Sequence, residues 1–110
     1  MSKSTLKPGV VTGEGYKTLV EAAKSGGYAL PAVNVAGTNT INAVMEAAAE
    51  ANSDIIIQLS NSGGQFYAGR GIKDAFTAKV MGSVSAAQHV HLLAEHYGID
   101  RVGSGYIDRR

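Results

Sequence analysis

A chain of 110 residues with 45 % hydrophobic and 17 % charged residues has the material for one small globular domain and is too apolar for a disordered segment. Its ten basic and nine acidic side chains are intermixed and leave a formal charge of +1, which argues against a nucleic-acid surface. Cysteine is absent, which excludes disulfides and thiolate metal sites and fits a reducing compartment. Neither the opening "MSKSTLKPGVVTGEG" nor any later stretch has the apolar run of a leader or a bilayer span, so a cytoplasmic protein without membrane association is expected.

The first 13 residues are polar and irregular, with a turn at Pro8-Gly9. Tyr16, Leu19, Val20 and Ala23 then recur at helical spacing, with Thr12 as the expected N-cap and Gly26-Gly27 as the stop. "YALPAVNV", residues 28–35, is short and apolar and reads as a strand, with Pro31 confined to an early or unpaired position. Ile41, Val44, Met45, Ala48 and Ala49 mark a second helix, capped by Thr38 or Asn39 and ended by Asn52-Ser53. "DIIIQLS" carries a continuous β-branched run, the pattern of a strand covered on both faces. Residues 61–75 read as a long glycine-rich loop, and a third helix is expected over 80–97, with Gly98 just past its end.

Strands alternating with helices predict right-handed βαβ units and a parallel sheet. Ligands of such folds gather beyond the carboxyl ends of the strands. Asn34 closes the first strand there, and Ser60-Asn61-Ser62-Gly63-Gly64 closes the second. Glycine backbones and serine hydroxyls can cradle a phosphate or sugar, yet Ser, Asn and Gly are equally the commonest turn residues. Asn34 alone reads as a structural amide. Arg70 and Lys73 could attract an anion, or be simply solvated. His89 and His91 fall on different faces of a helix, and His91 with Glu95 supplies only two ligands, so structural or surface roles are expected for these and for His96.

The blocks "ALPAVNVAGTNTINAVMEAAAEA", "IQLSNSGGQFYAGRGI" and "HVHLLAEHYGI" resemble the N-terminal part of class II fructose-bisphosphate aldolases, in register from about Lys7 to Ile99. The resemblance implies an α/β fold, the N-terminal portion of a (β/α)8 TIM barrel left incomplete, and a homodimer for the full-length enzyme. It also implies zinc-dependent, reversible cleavage of fructose 1,6-bisphosphate to dihydroxyacetone phosphate and glyceraldehyde 3-phosphate, in glycolysis and gluconeogenesis. The zinc, held by three histidines, is a Lewis acid. Tagatose-bisphosphate aldolases share the early motifs. By this resemblance Ser60 and Asn34 are substrate-binding residues at the ends of strands two and one, facing a sugar phosphate.

The resemblance breaks after "AEHYG". The family continues into an apolar third strand ending in His-Thr-Asp-His, which carries the catalytic Asp and the first zinc histidine. Counted without gaps, Tyr106 stands at that Asp and Ile107 at that histidine. The expected organisation is therefore a partial aldolase barrel over 1–99 and a divergent tail over 100–110, whose charges and "GSG" make a poor buried strand. No catalytic residue and no metal ligand is expected in this chain, and no zinc is expected to be held by it alone. It is expected to lack aldol cleavage on its own and to self-associate through open strand edges. The contrasting expectation is a non-catalytic interaction or remnant fragment.

Overall fold

A computed structural model describes residues 9–97 and, along the main chain only, 102–107. Pro8 and Gly98 lie outside the described residues. The elements in chain order are α1 (Glu14–Gly26), β1 (Ala32–Asn34), α2 (Thr38–Glu50), β2 (Ile55–Ser60), α3 (Asn61–Ala68), α4 (Ala75–Leu93), a 3-10 turn (Ala94–Tyr97) and β3 (Val102–Ile107). The three strands form one parallel sheet in the order β1-β2-β3. This is the alternating, parallel arrangement that the sequence predicts.

The helix ends differ from expectation. Gly13, not Thr12, occupies the cap of α1, and it is the Thr12 carbonyl that accepts from the N–H groups of Gly15 (3.0 Å) and Tyr16 (3.4 Å). Gly27 closes the helix in the left-handed conformation, as its position after the apolar stripe implies. Leu19 and Ala23 are buried, but Tyr16 and Val20 remain open to solvent. At α2 the cap is Gly37 rather than Thr38 or Asn39. The work is done one turn in, where the Thr40 hydroxyl accepts from the N–H groups of Gly37 (3.0 Å) and Ala36 (3.2 Å). Past the end of α2, Asn52 takes a positive φ of 53°, the local device that turns the chain into β2.

The isoleucine run is not covered equally on both faces. Ile55, Ile57 and Leu59 are buried, whereas Ile56, Gln58 and Ser60 are only half-buried. The buried set packs with Val35, with Ile41, Met45 and Ala48 of α2, and with Ala86, Val90 and Ala94 of α4 and its 3-10 extension. Withdrawing each large side chain of this set from water contributes about 1.5–3 kcal/mol. The sheet is thus sealed by helices on one side and left partly open on the other.

The expected loop over 61–75 is instead a helix, α3, followed by a short glycine-bearing connection. Intrinsic propensity opposes a helix of sequence "NSGGQFYA". Tertiary packing overrides it: α3 and α4 cross so closely at Gly64 and Gly82 that a β-carbon on Gly82 would lie 2.6 Å from the Gly64 carbonyl carbon. A side chain at position 82 would not permit that approach, and one at position 64 would crowd the Lys79 carbonyl and the Ser83 hydroxyl at 3.0 Å. The next helix begins at Ala75, five residues before the expected start at 80, because Asp74 caps it by accepting from the Thr77 N–H at 2.8 Å. The α4 surface is apolar beyond its packed stripe, with Phe76, Val80, Met81, Val84 and Leu92 exposed.

The tail, expected to make a poor strand, is a strand. Residues 102–107 pair with β2 along their whole length, Val102 opposite Ile55 through Ile107 opposite Ser60. Ladder hydrogen bonds join main-chain groups, so a glycine-bearing segment can complete them. Among the described residues no helix is long and apolar enough to cross a membrane.

Candidate functional site

The parallel register decides which side chains share a face. Ala32 pairs with Ile56 and Asn34 with Gln58, so Asn34, Gln58 and Ser60 project to the half-open side of the sheet, opposite the helix-packed Ile55, Ile57 and Leu59. Asn34 and Ser60 are also the last residues of their strands. One step across the sheet (about 4.8 Å) and two residues along it (about 6.6 Å) place their main chains about 8 Å apart. The two expected binding residues therefore lie on one surface at the carboxyl edge, without touching each other.

Gln58 stands opposite Asn34 and two residues before Ser60, a position that the sequence reading leaves without a role. Its amide donates to Asn34 Oδ1 over 3.4 Å, a long bond that aligns two amides on the open face. The period-two alternation from Ser60 back to Gln58 was the signal for it.

Ser60 has a structural duty. Its Oγ is the N-cap of α3, accepting the Gly63 N–H at 3.0 Å. Gly63 allows this because a β-carbon there would sit 3.1 Å from the Val35 carbonyl oxygen and 3.2 Å from Ser60 Oγ. The strand thus ends in hydroxyls and glycines because it runs straight into a helix packed tightly behind it. The cap engages Ser60 Oγ only as an acceptor. Its proton is left for a ligand oxygen or for Ser62 Oγ, which lies 3.3 Å from Ser60 Oγ, a pair in which either hydroxyl can donate.

A cleft of about 560 Å³ adjoins this edge, lined by Ser62, Gln65, Phe66, Gly69, Arg70, Ile72 and Lys73. On the far side, an apolar cavity of about 350 Å³ lies between β2 and α4, with Ile57, Leu59, Ala86 and Val90 in its walls. It contains no charged pair and belongs to the packing layer.

The histidines do not converge. His89 Nε2 bonds Asn42 Oδ1 of α2 at 2.8 Å, tying α4 to α2. His91 is exposed. His96 is exposed beside Glu95, with 3.6 Å between Nε2 and the carboxylate. Among the described residues no group of three or more His, Asp or Glu side chains could hold a metal, so these residues do not by themselves fit a zinc centre. Asp74 has its pKa lowered below the usual aspartate value by the Thr77 hydroxyl and then the Thr77 N–H, both of which donate to it.

The family model for class-II fructose-bisphosphate aldolase matches residues 14–102. A fructose-bisphosphate aldolase from Borreliella burgdorferi is 51 % identical over 96 residues, and a class 2 fructose-bisphosphate aldolase from Escherichia coli strain K12 is 47 % identical over 96 residues. In both cases the alignment covers 86 % of this chain and 27 % of the relative. A crystal structure of a fructose-bisphosphate aldolase from Campylobacter jejuni superposes with a TM-score of 0.83 at 45 % identity, covering 93 % of this chain and 29 % of that one. The chain therefore spans little more than a quarter of the length of these relatives. Its sheet and helices are the corresponding arc of a TIM barrel, incomplete as described.

Proposed function

We propose that this chain, which belongs to the class II fructose-bisphosphate aldolase family, supplies part of the sugar-phosphate-binding rim of that fold rather than a complete catalytic centre. The observation that carries the reading is the placement of Asn34 and Ser60 at the ends of adjacent parallel strands, on the one sheet face that helices leave open. That is where α/β folds bind ligands. Ser60 offers a hydroxyl proton to a ligand oxygen, and the Asn34 amide, aligned by Gln58, offers N–H donors alongside.

The family's reaction is the reversible aldol cleavage of fructose 1,6-bisphosphate in glycolysis, and zinc is its Lewis acid. This chain's residues bind and orient. The register sets positions 106 and 107 beside Leu59 and Ser60, and there the chain carries Tyr106 and Ile107, neither of them a carboxylate or an imidazole. With neither a carboxylate nor an imidazole at these two positions, little lowering of the barrier is expected from the chain alone. Within this reading the chain divides into a family part over 1–99 and a divergent tail over 100–110, and its setting is cytoplasmic.

In the three-stranded order β1 and β3 stand at the two ends, and apolar residues such as Val33, Val80 and Val84 are exposed. Both features favour association with further copies or with the remainder of a barrel.

The test is complementation. The purified chain with zinc is expected to give no triose phosphate in a coupled assay. Mixed with the C-terminal remainder of a relative, it is expected to restore chelator-sensitive turnover, weakened about fivefold or more by Ser60→Ala or Asn34→Ala, roughly one hydrogen bond's worth. Turnover by the chain alone would refute the non-catalytic part. Restored turnover indifferent to both substitutions would refute the rim assignment.

A further inference from the structure

The cleft beside Ser60 has a chemistry that the proposed rim does not use. Ser62, Gln65, Phe66 and Gly69 recur at i, i+3, i+4 and i+7, one face of α3 and its first following residue. Gly69 takes a φ of 88°, which turns the chain back over that face and brings Arg70, Ile72 and Lys73 into the opposite wall. A residue with a β-carbon would resist this turn.

Arg70 and Lys73 are exposed, and among the described residues neither has a carboxylate partner or a hydrogen bond. Among the described residues no acidic side chain lines the cleft. The neighbouring carboxylate in sequence, Asp74, is held by Thr77 at 2.8 and 2.7 Å as the cap of α4. Two unneutralised cations and two neutral hydrogen-bonding side chains thus converge on one concavity. Its volume of about 560 Å³ suits a small metabolite. Ser62 is shared: it lines the cleft, and its hydroxyl lies 3.3 Å from that of Ser60. The cleft is continuous with the strand-end surface through that pair.

We propose that this cleft is a phosphate-monoester subsite, in which Arg70 and Lys73 supply the charge and Ser62 and Gln65 the directional hydrogen bonds. Arg70 presents a planar fork suited to two phosphate oxygens, and Lys73 adds a mobile point charge. Identifying the ligand as the phosphoryl end of a sugar phosphate whose hydroxyls reach Ser60 rests on the function proposed above. Recognition of phosphate itself does not.

The experiment titrates the full chain with inorganic phosphate and, separately, with fructose 1,6-bisphosphate, by isothermal calorimetry at low and at moderate salt. Circular dichroism confirms that each variant keeps its helix content. Phosphate is expected to bind, more weakly as salt rises. The pair Arg70→Gln and Lys73→Gln is expected to weaken it about tenfold or more, whereas Lys24→Gln, at an exposed position of α1, leaves it unchanged. Phosphate binding that survives the double substitution, or that Lys24→Gln weakens equally, would overturn the subsite, as would no binding at all. If phosphate binds as expected but the bisphosphate binds no tighter and ignores Ser60→Ala, the subsite stands and the sugar-phosphate rim falls.

Discussion

Replacing Gly82 by alanine tests the packing that holds the candidate site in place. The added methyl would fall on the Gly64 carbonyl oxygen, 2.6 Å from its carbon and 3.1 Å from its Cα. Comfortable separation between carbon atoms is about 3.5–4.0 Å. Every obstructing atom is main chain, so no rotamer change relieves the clash, and α3 must move off α4 by about 1 Å. Overpacking of this kind costs about 1–3 kcal/mol, and the rigidity of the obstacle argues for the upper end. Against it stands the gain of about 1 kcal/mol when a mid-helix glycine becomes alanine. The clash wins, and a net loss of about 2 kcal/mol is expected. In urea denaturation followed by circular dichroism, with a slope of about 1–2 kcal/mol/M, the midpoint should fall by about 1–2 M. A midpoint equal to or above wild type would mean that propensity alone governs the position, and the close crossing would be refuted.

Further outcomes follow from the same geometry. Gly64→Ala meets the Lys79 carbonyl and the movable Ser83 hydroxyl, both at 3.0 Å, so denaturation should show a smaller loss than at Gly82. Ser60→Ala should destabilise the chain by about 1 kcal/mol through loss of the α3 cap, while Ser60→Asn, which can also cap, should recover most of it in the same assay. A double-mutant cycle on Asn42 and His89 should give a coupling of about 0.5–1.5 kcal/mol, and additivity would mean that their 2.8 Å bond does not hold α2 to α4. The pKa of Asp74 is depressed in the folded state, so its contribution is complete above the usual aspartate value and is lost as pH falls through the lower folded value. Asp74→Asn should flatten that segment of the stability profile, and an unchanged profile would remove the cap from the account.

The architecture was legible because β-branched runs and helical stripes alternate, and that alternation admits few arrangements. The positions of Asn34 and Ser60 followed from the same logic, since parallel sheets present their ligands at one edge. The helix over 61–68 was not legible, because its cause lies in Gly82, eighteen residues on from Gly64, and not in its own residues. Thr12 and Thr38 looked like caps by type, but backbone carbonyls and Thr40 took their place. Asp74 carried a readable signal, an acidic residue three before Thr77, that the glycine-rich surroundings obscured. The pairing of 102–107 is not legible in the sequence because ladder bonding ignores side-chain identity. Arg70 and Lys73 gained meaning only when the turn at Gly69 folded them against α3.

The alternating burial of β2 makes three adjacent isoleucines unequal witnesses. In the chain by itself, polar replacements at Ile55 or Ile57 should be rejected and those at Ile56 forgiven, because only the former pair sits beneath the helices. Inside a closed barrel the middle one would face a filled interior and lose that licence. A mutational scan of a single tripeptide would therefore report whether selection has seen this segment alone or enclosed.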